Sequence, residues 1–170
     1  MTGRTAGIAG IVICIAALAW YLGSPLFIRT TANEPAPSGG PARVALPSGS
    51  GPAQASAAAS GPAILARGEL GYVDAIHNGT GAVVLIRTGD ATVLRFENVA
   101  ITNAPDVHVY LSRETGGKWT ESTSLYVGPL KATNGSFNYS LPAEADLSAY
   151  RSVVVWCRQF SVLVTWADLR

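Results

Sequence analysis

The hydrophobic pattern changes its period along the chain. Residues 6–22 are apolar apart from two glycines within an uncharged stretch 6–28, and residues 29–66 carry almost no large apolar side chain. From residue 67 onward short apolar runs return at intervals of roughly ten residues, the spacing of strands in a sandwich or barrel. The runs are 70–77, 82–87, 92–99, 107–112, 124–130, 137–141, 152–157 and 160–166. Turn-forming clusters separate them: Asn78-Gly79-Thr80-Gly81, Thr88-Gly89-Asp90, Asn103-Ala104-Pro105-Asp106, Gly116-Gly117-Lys118 and Asn134-Gly135. Within the runs the side chains alternate between two faces, as strands require. Leu94 and Phe96 fall on one face and Arg95 on the other. Val107 and Val109 oppose His108 and Tyr110, and Val153, Val155 and Cys157 oppose Val154 and Trp156. No long amphipathic helical pattern follows residue 67. The pattern predicts an all-β domain over residues 67–170, a two-sheet antiparallel β-sandwich of about eight strands.

The stretch 6–28 contains no charged residue. As a helix it would be roughly 34 Å long, enough to cross a hydrocarbon core of about 30 Å. Trp20 and Tyr21 fall where interfacial aromatics sit, and Pro25 bends or ends the outer turn. A lipoprotein signal needs a cysteine beyond the apolar stretch, whereas Cys14 lies in its middle. A cleaved signal needs small residues just past the stretch, and residues 30–32 match that weakly. The reading is an uncleaved transmembrane anchor within residues 1–28, with the lipid bilayer as partner of residues 6–28. Arg4 before the stretch and Arg29 after it leave a slight positive-inside bias. The short amino-terminal tail then lies in the cytoplasm, and the rest of this single-pass protein of the cell membrane is extracytoplasmic. Residues 29–66, rich in Ala, Pro, Gly and Ser, cannot bury enough apolar surface to offset their ordering entropy. They read as a disordered tether with a span of roughly 35 Å.

Charge narrows the partners. The chain has a net charge of +1, and residues 67–170 carry nine Lys/Arg against ten Asp/Glu without runs. That balance argues against a nucleic-acid partner. No nucleophile elbow, phosphate loop or HExxH helix occurs, so an enzyme of those classes is not indicated. Cys157 is the cysteine of the β-rich region, and Cys14 lies in the apolar stretch, which leaves no intramolecular disulfide. Cys157 is therefore a small hydrophobe in a packed strand, a redox or ligand thiol, or half of an intermolecular disulfide.

With His77 and His108, Cys157 would supply the two-histidine, one-thiolate set of a copper electron-transfer site. A cupredoxin, however, places a histidine a few residues after its cysteine, where this chain has Arg158, Gln159 and Phe160. Met1 is the single methionine, which also removes methionine–histidine haem ligation. Bis-histidine ligation by His77 and His108 has nothing in the sequence that positions the pair, and zinc-ligand spacing is absent. Asp106 after Pro105 reads as a turn residue, and Asp106 and Tyr110 are binding candidates. No cofactor is assigned. Asn-X-Ser/Thr triplets begin at Asn78, Asn134 and Asn138.

Residues 67–169 resemble the DM-thirteen domain family, described as an electron-transfer domain. Gly68, His77 and Gly81 fit its opening strand and turn, and Thr102 through Ser112 (Thr-Asn-Ala-Pro-Asp-Val-His-Val-Tyr-Leu-Ser) is similar to its central signature. Gly128-Pro129-Leu130-Lys131 and Asn138-Tyr139-Ser140-Leu141-Pro142 match its middle. Asp146 through Cys157, then Phe160-Ser161-Val162 and Ala167-Asp168-Leu169, match its end. Ala104 stands where glycine is usual, Leu70 where an aromatic is common, and Val164 where phenylalanine is common. The resemblance implies a β-sandwich and a redox role for the cysteine. Two readings result. One is a membrane-tethered redox or electron-transfer module using Cys157, with His77 and His108 as partners and an extracytoplasmic protein or redox partner. The other is a non-catalytic cell-surface binding or structural sandwich that uses the loops at 102–106 and 114–123.

Overall fold

The computed structural model describes residues 2–27, 29–38 and 61–170. Helix α1 spans Thr2–Phe27. The strands are β1 (Thr31–Asn33), β2 (Ala63–Glu69), β3 (Gly79–Thr88), β4 (Ala91–Ile101), β5 (Val107–Ser112), β6 (Leu125–Pro129), β7 (Asn134–Leu141), β8 (Ser152–Cys157) and β9 (Val162–Asp168). They form a five-stranded sheet in the order β1-β7-β4-β3-β2 and a four-stranded sheet in the order β6-β5-β8-β9.

The alternation seen in the sequence decides which side chains lie between the sheets. Val83, Leu85, Leu94, Phe96, Phe137 and Tyr139 come from the first sheet, and Val107, Val109, Leu111, Val153, Val155, Cys157 and Val164 from the second. Phe96 and Phe137 face each other across the β4–β7 register and stack with centroids 5.0 Å apart. The Tyr139 ring meets Phe96 edge-on at 5.9 Å. Burying each such ring stabilises the fold by about 1.5–3 kcal/mol.

Several expectations need correction. The run 70–77 is not a strand. Asp74 accepts the backbone N–H groups of Ile76 and His77 at 2.7 and 2.6 Å, and a single bridge joins Tyr72 to Asn78. That local turn competes successfully with a sheet ladder. The first long strand is β2, which begins inside the stretch read as tether. The last run starts as a strand at Val162, because 158–161 is the turn out of β8, with Ser161 at φ 51°.

Nor are residues 29–66 one uniform linker. Thr31–Asn33 pairs with β7 in parallel, so the first sheet is mixed rather than purely antiparallel. Thr30 O accepts from Thr133 N and Asn134 N, and Glu34 N donates to Ser136 O. Gly135, at φ 102°, allows this approach; a Cβ there would sit 2.1 Å from Ala32 O. Arg95, buried on the outer face of β4, donates to the carbonyls of Glu34 and Pro35 and to Asn138 Oδ1. Lys131 Nζ and Asn138 N both bond the Glu34 carboxylate. Residues 39–60 of the expected tether lie outside the described residues.

In α1 the described side chains run from residue 7 to 21, with residue 23. Ile8, Ile11, Val12, Ile13, Ile15, Leu18, Trp20 and Tyr21 are all exposed, so the apolar surface faces outward all round. Among the described residues no helix is long and apolar enough to cross a membrane, since a span needs about 20 apolar residues.

Candidate functional site

The second sheet separates the sequence-derived candidates. Val107 pairs with Cys157, and His108 with Trp156. The pleat therefore turns Cys157 into the core and His108 to the outer face. Cys157 is fully buried, and its thiol donates to Pro105 O at 2.9 Å. His77 lies in the loop before β3, its Nδ1 bonded to Asp74 Oδ2 at 2.8 Å. That bond, with the two amides of the turn, lowers the Asp74 carboxyl to about 2. His77 is thus a turn-forming residue. Among the described residues no group of three or more His, Cys, Asp or Glu side chains could hold a metal ion.

His108 has a different setting. Its Nε2 is 2.6 Å from Asp106 Oδ1, and its Nδ1 is 2.9 Å from the Tyr126 hydroxyl. The imidazole is largely covered, whereas Tyr126 is 45 % exposed. Asp106 has a φ of 58°, which carries the chain around the turn and aims its carboxylate back at the ring. A carboxylate only accepts, so Nε2 carries a proton and donates to Asp106 when the imidazole is neutral. Nδ1 is then the acceptor for the Tyr126 O–H.

Around this pair the outer face is aromatic. Tyr126 on β6 lies opposite Tyr110 on β5, with ring centroids 5.4 Å apart. Tyr110 packs on Trp119 at 4.4 Å, and Trp119 meets Trp156 edge-on at 5.0 Å. The Arg158 guanidinium sits 4.7 Å from the Tyr126 centroid and 5.6 Å from that of Tyr110. Its Nε donates to the Tyr110 hydroxyl at 2.7 Å, a bond that holds the guanidinium pKa above its ordinary value.

Trp119 belongs to no strand, so its place depends on the loop after β5. Buried Ser112 donates to Lys118 O and accepts from Glu114 N, while buried Ser152 donates to Glu114 O. Asp168 accepts the Gly116 amide at 2.8 Å. Gly117, at φ 74°, lets the loop lie close on the sheet; a Cβ there would come within 2.5 Å of Leu163 Cδ2.

A family model described as electron transfer DM13 matches residues 72–169. The chain belongs to the electron transfer DM13 family. No curated protein and no solved structure matches the chain. The DM13 match covers β3 through β9 and so includes the whole outer-face cluster.

Of the sequence candidates, the structure brings Asp106, His108 and Tyr110 to this one face. It sends Cys157 to the other side of the sheet and His77 to a separate loop. Tyr126, Trp119, Trp156 and Arg158 were missed by sequence reasoning. The alternation of Trp156 with the core residues Val155 and Cys157 was a usable signal. For Trp119 and Arg158, which lie outside the strands, none existed.

Proposed function

We propose that this chain is a membrane-anchored, extracytoplasmic electron-transfer domain whose redox-active groups are outer-face aromatics rather than Cys157. The carrying observation is the continuous aromatic series Trp156–Trp119–Tyr110–Tyr126, with successive centroids 4.4 to 5.4 Å apart. Indole and phenol side chains undergo one-electron oxidation, and rings in contact let the vacancy move between them. The family description supports the redox assignment. The thiol of Cys157 is buried and hydrogen-bonded, which withholds it from exchange with another thiol. The anchor is supported by the uncharged stretch 6–28 of the sequence, which extends past the described side chains of α1.

A non-catalytic binding domain is the second reading. An open groove of about 670 Å3 favours it, between the β2, β3 and β4 ends of the first sheet and the connection from β7 to β8, beside Arg87, Asp90, Asp146, Arg151 and Arg170.

The test is transient absorption of the full chain in detergent after flash generation of a one-electron ruthenium(III) oxidant. Radical migration to tyrosine is expected, slowed at least about tenfold in Trp119→Phe, since that contact joins the two ends. Absence of any tryptophan or tyrosine radical would leave the binding reading standing. Membrane fractionation, with protease access from the outer side, tests the anchor and its orientation.

A further inference from the structure

The aromatic face contains two tyrosines in contact whose hydroxyls meet opposite partners. Tyr110 is buried, and its oxygen accepts from the Arg158 guanidinium. Tyr126 is exposed, and its hydroxyl lies 2.9 Å from Nδ1 of His108, the acceptor nitrogen of the neutral ring when Asp106 accepts from the proton-bearing Nε2. Loss of an electron makes a phenol strongly acidic, so the tyrosine with a base at hydrogen-bond distance is the one that can be oxidised without becoming a cation. The guanidinium over the Tyr126 ring sharpens this requirement, because a positive ring beneath a fixed positive charge is disfavoured. At Tyr110 the same cation bonds the oxygen itself, and among the described residues no base is hydrogen-bonded to that hydroxyl.

We infer that Tyr126 is a proton-coupled redox tyrosine, with His108 as its proton acceptor and Asp106 as the residue that positions and charge-stabilises the imidazole. This rests on the electron-transfer reading and names its terminal site. In the step, Tyr126 gives one electron to a metal-centred one-electron oxidant. Its O–H bond breaks and an N–H bond forms at His108 Nδ1. The products are a neutral phenoxyl, an imidazolium paired with the Asp106 carboxylate, and the oxidant reduced by one electron. Re-reduction of the phenoxyl returns the proton along the same hydrogen bond. The exposed Tyr126 edge is where a partner meets the site, and no deprotonation to bulk water is needed.

The experiment is flash oxidation of the full chain in detergent, read by electron paramagnetic resonance with and without ring-deuterated tyrosine, in light and heavy water. The expected result is a neutral tyrosyl signal that narrows on deuteration and disappears in Tyr126→Phe; in Tyr110→Phe, which interrupts the aromatic series, the same signal forms more slowly with its line shape unchanged. His108→Gln, which can no longer take the proton, should slow its formation by about 100-fold or more, as for loss of a positioned base. Asp106→Asn should slow it less, and the solvent isotope effect seen in the parent should vanish in His108→Gln. Circular dichroism of each variant confirms that the fold is kept. A tyrosyl signal that survives Tyr126→Phe, or a rate unaffected by His108→Gln, overturns the inference while leaving the aromatic series as an electron path. Failure to form any aromatic radical overturns both.

Discussion

Cys157 and His108 lie on neighbouring paired strands and face opposite sides of the same sheet. Between them passes the backbone of β5 and β8, so the thiol cannot join the histidine in one ligand set. The thiol thereby belongs to the interior packing, and the imidazole to the outer aromatic face where the proposed electron transfer is located.

The thiol should be silent in the folded protein. A disulfide-exchange reagent is expected to label Cys157 only after unfolding, and Cys157→Ala should cost on the order of 1 kcal/mol for the lost packing and hydrogen bond. Radical yield in that variant should match the parent. Rapid labelling of the native chain at Cys157 would contradict its burial.

Arg95 holds the segment that follows α1. Arg95→Met leaves the Glu34 carbonyl and Asn138 Oδ1 without the Arg95 donor, and leaves Pro35 O with the Asn138 Nδ2 bond alone. Stability in urea should fall by about 1–3 kcal/mol. Faster hydrogen exchange at the Glu34 amide, which donates to Ser136 O, should accompany it. Unchanged exchange there would show that β1 docks independently of Arg95.

Acid should release the same segment. The Glu34 carboxyl is held below its ordinary 4.5 chiefly by the hydrogen bond from Lys131 and next by the Asn138 amide. Its ionised form is favoured by docking, so the contribution is complete above 4.5 and is lost as pH falls through the lowered folded-state value. The pair is part-exposed and screened by salt, so the effect is modest. Amide exchange at Asn138 should accelerate over that acid range, and Glu34→Gln should abolish the pH dependence.

Gly135→Ala tests the register of β1 on β7. The new Cβ meets Ala32 O, and φ 102° is a conformation that alanine rarely adopts. A loss on the order of 2 kcal/mol is expected. Deleting residues 29–35 should relieve the part due to the clash, so the two changes should be non-additive. Strict additivity would place β1 away from Gly135.

His77 belongs to a turn. His77→Gln should leave radical formation unchanged and speed amide exchange at Ile76 and His77, where Asp74 now accepts both amides. A drop in electron transfer would instead give His77 a part in the redox path.

The sandwich was legible in the sequence because a strand's two-residue period is a local property. Leu94 and Phe96 inward with Arg95 outward, and Cys157 inward with Trp156 outward, follow from alternation alone. Seven of the eight expected runs overlap β3 to β9 for that reason. The run 70–77 failed because Asp74 offers its own backbone a closer partner than a neighbouring strand does.

What only the tertiary structure decided depends on groups far apart in the chain. Thr31–Asn33 is a strand because unpaired backbone groups on β7 accept it, and its Ala/Pro-rich surroundings carry no side-chain signal of that. Trp119 reaches the aromatic face because two buried serines bind its loop, and Arg158 because the turn after β8 brings it over Tyr126. The sequence determined which residues leave the core. Only folding determined that Asp106, His108 and Tyr126 would leave it together, within hydrogen-bond reach, because the β5–β6 register sets one strand's side chains against the other's.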